Sequence, residues 1–144
     1  MRFWDSSAIL PQIVEETASH PAARYCEANL ELVVWWGASV KCASAFARLV
    51  REHALETRDI TQLLRQLQGL QSAWNEVQPL DTVRAAAQRL LRLHTLRAAG
   101  DLQLGAAVLA TDRRPQAWEF VCLEPRLAAA AKRERFGKQL KPFE

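Results

Sequence analysis

Two kinds of apolar pattern alternate along this chain. Arg2-Phe3-Trp4, Leu32 to Trp36 (LVVWW) and Trp118 to Leu123 (WEFVCL) are short runs rich in β-formers and read as strands, with LVVWW buried on both faces. Between the second and third runs the spacing becomes helical. Ile60, Leu63, Leu64, Leu67 and Leu70 mark one helix, and after Pro79 the pattern resumes with Val83, Ala86, Leu90, Leu91 and Leu93. These leucines read as core, and the two helices as an antiparallel pair. Further helices are predicted from Ser6 or Ser7 with Pro11 near the opening turns, from Pro21 to Leu30, from Val40 to Ala54 with Ser39 as cap after Gly37, and over Asp101–Thr111. The last spans Pro125 to Arg135, with Pro in its first turn, and Lys138 to Pro142 adds a short edge strand. Strands separated by helices predict one α/β domain over residues 1–144, a small parallel sheet with helices on both faces in three layers.

Composition narrows the class. Hydrophobic residues make up 49% and charged residues 24% of the 144, with few Gly and Pro, which excludes a disordered chain. No stretch approaches the ~20 apolar residues of a membrane span, so the expected location is cytoplasmic, with no membrane partner. Cys26, Cys42 and Cys122 are odd in number and set among apolar neighbours, which fits reduced core thiols. His20, His53 and His94 lack metal-ligand spacing. Charge is uneven: residues 113–144 carry +4 and residues 1–112 carry −1. A basic carboxyl-terminal quarter suits either nucleic acid or a solvated helix face.

The candidate chemistry lies where two apolar runs meet helix starts. Phe3-Trp4 leads into Asp5-Ser6-Ser7, and Val121-Cys122-Leu123 into Glu124-Pro125. Parallel sheets gather ligands outside the carboxyl ends of their strands, so Asp5 and Glu124 are expected side by side on neighbouring strands. Two such carboxylates suit a hard divalent cation acting on phosphate. Asp5 equally suits a helix N-cap, whereas Glu is a poorer cap than Asp, which favours a site role for Glu124.

At this point the residues resemble a family. FWDSSAIL, VVWWGASVKCASAFARL, HTLRAAGDLQLGAA and FVCLEPRLAAAAKRERF are similar to the PIN domains of VapC-type toxins, most specifically through Cys42-Ala43-Ser44-Ala45 with Arg48 and Leu96-Arg97-Ala98 followed by Leu102-Gln103-Leu104. The resemblance implies a metal-dependent endoribonuclease of three-layer fold, usually dimeric and silenced by an antitoxin protein. It implies Asp5, with Ser6 beside it, and Glu124 as site residues. The family's second acid falls on Lys41 and its third on Gly100, neither of them acidic. Asp101, one residue on, reaches the site if its helix begins there; otherwise it is a cap.

Lys41 shares a helix face with Ser44, Ala45 and Arg48. An ammonium there would be drawn to Asp5 and Glu124 and would repel a divalent ion. The expectation is thus a nuclease-like site in which Asp5, Asp101 and Glu124 hold Mg²⁺ or Mn²⁺ weakly or not at all, with Arg48, Lys132 and Arg133 placing RNA. The alternative is a module that binds antitoxin or RNA without cutting. The tryptophans Trp4, Trp35, Trp36, Trp74 and Trp118, many for one core, suggest a homodimer.

Overall fold

Strand β1 (Arg2–Trp4) is only three residues long, yet it anchors both halves of the molecule, because Phe3 and Trp4 are fully buried on its opposite faces. The computed structural model describes residues 1–14 and 32–139, the side chains of 138 and 139 excepted. The helix expected over Pro21–Leu30, with His20 and Cys26, lies outside the described residues. The chain runs from β1 into α1 (Ser6–Ile13), β2 (Val33–Trp35), α2 (Ala38–Arg51) and α3 (Thr57–Gln71). It continues through β3 (Asn75–Val77), α4 (Asp81–Leu93), α5 (Ala98–Ala110), a short 3-10 turn at Pro115–Ala117, β4 (Glu119–Val121), α6 (Pro125–Arg133) and β5 (Lys138–Gln139).

All strand pairs are parallel, in the order β3-β2-β1-β4-β5. Two cores line the two faces of the sheet. Phe3, Phe120 and Cys122 pack with Val83 and Leu90 of α4, Leu104 of α5 and Leu127 of α6. Trp4, Val34 and Val121 pack with Ile9 of α1, Phe46 of α2 and Leu63 of α3. The fold is therefore a three-layer α/β/α arrangement, as the alternation of runs predicts. Stacking of Phe3 on Phe120, with centroids 5.7 Å apart, joins β1 to β4 within the first core. Glu119, the polar residue of WEFVCL, forms an ion pair with Arg2, directly opposite it in register.

Several local expectations shift. The helix after β2 starts at Ala38 with Gly37 as N-cap and no side-chain cap, so Ser39 lies inside its first turn and does not cap it. More consequentially, α3 and α4 are not a hairpin. Strand β3 lies between them, and they cover opposite faces of the sheet. The antiparallel partner of α4 is α5, whose Gly105 lies against the α4 backbone at Val83 and Ala87.

Not every leucine of the helical pattern is core. Leu63, Leu67 and Leu90 are buried, but Leu64, Leu91 and Leu93 are exposed. Leu90→Ala should therefore cost about 2–5 kcal/mol, while the adjacent Leu91→Ala, from a residue 44% exposed, should stay within about 0.5 kcal/mol. Equal shifts in the urea midpoint would contradict this assignment of the α4 face. The tryptophans are also mostly absorbed by the fold: Trp4, Trp74 and Trp118 are buried, Trp35 is half-buried, and Trp36 alone is exposed. Their number therefore gives little reason to invoke a second copy. Among the described residues no helix is long and apolar enough to cross a membrane.

Candidate functional site

From β1 the chain turns away in one direction, through α1 to β2, while β4 on the other side of β1 is reached only after a crossing from β3. Such a reversal opens a crevice at the carboxyl ends of the two adjacent strands. Trp4 pairs with Val121, so Asp5 is the first residue past β1, and its N–H donates to the Val121 carbonyl at 3.0 Å. Glu124 follows three residues after Val121. The two acids thus emerge from neighbouring parallel strands, as their positions at the ends of two apolar runs predict.

Asp5 is fully buried. Its Oδ2 accepts from the Ser7 N–H at 3.1 Å, which makes it the N-cap of α1, and lies 3.6 Å from the Cys122 thiol. Its Oδ1 is buried and has no hydrogen-bond partner among the described residues. Capping and an available carboxylate oxygen are therefore compatible in one side chain. Cys122 sits between the acids. Its sulfur accepts from the Glu124 N–H at 3.3 Å, and its single proton serves either Asp5 Oδ2 or the Glu124 carbonyl at 3.4 Å. Ser7 closes the network: its hydroxyl accepts from the Leu123 N–H at 2.9 Å and lies 3.7 Å from Cys122.

Burial, reinforced by the nearby Asp5 charge, pushes the Cys122 thiol up and raises Cys42 to about 12, with Lys41 opposing the rise at Cys42. Both are free thiols, protonated at neutral pH and so poor nucleophiles or metal ligands; they act as small apolar groups with a weak donor. Asp5 therefore stands between β4 and the first turn of α2. Lys41, half-buried in that turn, forms no ion pair with Asp5 or Glu124.

Ser6 is buried in a reciprocal pair. Its N–H donates to Gln103 Oε1 at 3.1 Å, and Gln103 Nε2 donates to its hydroxyl at 3.1 Å. Gln103, only 1% exposed, ties α5 to the start of α1; its segment Leu102-Gln103-Leu104 carries part of the resemblance, but the residue patterns give it no site role. The available signal was an amide inside the otherwise apolar run Leu102–Ala110, since a buried amide needs partners.

Asp101 is placed elsewhere. Helix α5 begins at Ala98, with Arg97 as N-cap, so Asp101 neither caps it nor sits in an adjustable loop. Gly105, one turn further on, faces α4 so closely that a Cβ there would lie 3.1 Å from the Ala87 nitrogen. Asp101 shares that face, whereas Gln103 is turned about 200° from Asp101. Gly100, three residues before Gln103, lies on the Ser6 side, and a Cβ there would meet only Leu127 methyl groups at 3.9 and 4.0 Å. Burial raises Asp101 to about 6, opposed by the charge of His94 on the α4 side.

Glu124 is a better cap than its residue type suggests. The longer side chain folds back so that Oε1 accepts from the Arg126 N–H at 3.2 Å and Oε2 from the Leu127 N–H at 2.6 Å. Pro125 at the first position has no N–H to leave unpaired. Both oxygens are thus engaged by the helix. Arg48 is exposed and lies 4.0 Å from Glu52, while Lys132 and Arg133 are exposed in the last turn of α6, where cations suit the helix dipole.

The donor set does not fit Mg²⁺ or Mn²⁺ as the resemblance implies. Asp5 offers one free oxygen, Glu124 is committed to its helix, Asp101 faces α4, and position 41 is a cation. Among the described residues no group of three or more His, Cys, Asp or Glu is arranged to share a metal. No protein-family model matches the sequence, and no curated protein matches it significantly.

Proposed function

We propose that this chain is a PIN-like domain of toxin-antitoxin type that binds RNA while cleaving it slowly or not at all, with a cognate antitoxin protein as its implied partner. The observation that carries this reading is Asp5: the acid with an unpartnered oxygen at the switch between β1 and β4, in a chain that has a lysine at position 41, where the resemblance implies a second acid. The fold and the strand-acid-helix junctions support descent from a nuclease-like scaffold. Function resides in the site, however, and of the implied acids at the crevice Asp5 alone keeps an uncommitted carboxylate oxygen, Glu124 holding its own helix with both. Exposed Lys132 and Arg133 supply charge for phosphate contacts, which position RNA without reading its sequence.

The test pairs fluorescence anisotropy of a labelled single-stranded RNA with a gel assay of its cleavage, in EDTA and in Mn²⁺. Binding should be independent of Mn²⁺ and weaken steeply with salt, and Lys132→Ala with Arg133→Ala should lower both the affinity and the salt slope. Rapid Mn²⁺-stimulated cleavage that Asp5→Asn abolishes would replace this reading with that of an active nuclease. Absence of binding at low salt would remove RNA altogether.

A further inference from the structure

At the carboxyl end of β2 two tryptophans follow one another with opposite fates. Trp35 is half-buried and packs against the core that holds Phe3 and Leu104, whereas Trp36 is 48% exposed. Their rings meet edge to face, with centroids 6.4 Å apart and planes at 73°. The pair is held from two sides. The Trp36 N–H donates to the Val77 carbonyl at 3.0 Å, which carries the β2–β3 pairing one residue past the strand. Trp35 lies across Gly37, where a Cβ would fall 2.5 Å from the indole Nε1 and 3.1 Å from Cδ1. A bare α-carbon at position 37 thus lets Trp35 fold back and support the exposed ring.

Register puts this turn at the rim of the crevice. Phe3 pairs with Val33 and Trp4 with Val34, so Trp35-Trp36 leaves the sheet next to the junction that carries Asp5. The turn feeds α2, whose first turn carries Val40, 65% exposed, and Lys41, half-buried and without an ion pair among the described residues.

We propose that Trp36 is a stacking platform for one unpaired base of single-stranded RNA at the rim of the crevice, with Lys41 as the cation for an adjoining phosphate. A nucleotide joins a flat, weakly hydrated base to an anion, and an exposed indole followed by an unpaired ammonium offers the complement of each. Aromatic faces accept any base, because every base has a π-face, and a neighbouring cation tracks the backbone. A second copy of the chain or a partner helix needs a broad surface, on the order of 800 Å² a side. On β2 and the first turn of α2 only Trp36 and Val40 are large exposed apolar groups, which suits one base better than a protein face. The platform rests on the RNA-binding reading and adds to it a preference for unpaired strands.

Fluorescence anisotropy with a labelled, unstructured RNA of mixed sequence, alone and annealed to its complement, tests this. Trp36→Ala should weaken binding of the single strand about five- to a hundredfold and leave the salt slope unchanged, since no charge is removed. Trp36→Phe should keep most of the affinity, Trp36→Leu should behave as Trp36→Ala, and binding of the duplex should change by less than about twofold, because its bases are already stacked. A single-strand affinity within about twofold of the unaltered chain in Trp36→Ala, or full affinity in Trp36→Leu, would overturn the platform and leave RNA binding standing. No binding by the unaltered chain at low salt would remove both. A dimer in sedimentation that Trp36→Ala dissolves would assign this face to a second copy and overturn the proposal.

Discussion

Lys41→Glu combined with Gly100→Asp should raise Mn²⁺ affinity roughly ten- to a hundredfold over the unaltered chain, and adding Asp5→Ala should remove the gain. The first change replaces a repelling ammonium by a carboxylate in the first turn of α2, where acids also suit the helix dipole. Position 41 directly precedes Cys42, whose buried thiol is pushed up first by burial and then by the charge of Asp5, so the first turn of α2 lies within the field of Asp5. The second change exploits the rotation of α5. Position 100 lies on the Ser6 side, a Cβ there meets nothing closer than 3.9 Å, and no Gly-specific backbone conformation is required. Asp5 is common to both because its Oδ1 is already buried and unpartnered. Electron paramagnetic resonance of free Mn²⁺ measures each affinity. An unchanged affinity in the double variant, or a gain that survives Asp5→Ala, would show that the three positions do not converge.

Gly105→Val should destabilise the protein by about 3 kcal/mol or more, enough to abolish much of the stability of a typical domain. An added Cβ would lie 3.1 Å from the Ala87 nitrogen, 3.3 Å from the Val83 carbonyl oxygen and 3.4 Å from the Ala87 Cα, all backbone atoms of α4 that cannot swing aside. Valine adds two methyl groups beyond that. Gly69, within α3, is the control: nothing stands within 4 Å of its missing Cβ, so Gly69→Ala should stabilise by about 0.5–1 kcal/mol through helix propensity alone. Urea midpoints of the two variants should therefore move in opposite directions. A mild effect at Gly105 would mean that α4 and α5 are separated more widely than the structure has them.

Much of the crevice was legible because it is built from local chemistry. The apolar run Phe3-Trp4 followed by Asp5 and Ser7 contains a strand, its end and the cap of the next helix, and all three form where the residues indicate. The same holds for Val121, Glu124 and Pro125, although Glu124 caps with two oxygens where residue type alone suggested a freer carboxylate. Strand β3 was less readable. Asn75-Glu76-Val77 is an edge strand only three residues long, too short for an alternating pattern to emerge, and without it α3 and α4 read as neighbours.

The sequence by itself determined the order of strands and helices and which acids follow β1 and β4, since these depend on contacts between residues a few positions apart, although α2 and α5 begin two and three residues before their expected starts. Tertiary structure alone decided which layer each helix joins and how far it is rotated about its axis. A one-residue difference turns a helical side chain by about 100°, so whether position 100 or 101 faces Asp5 is settled by the close approach of Gly105 to α4, not by local preference. His94 and Glu134, 40 residues apart, meet for the same reason. Each ends a different helix, and only the packing of α4, α5 and α6 on one face of the sheet brings those ends together.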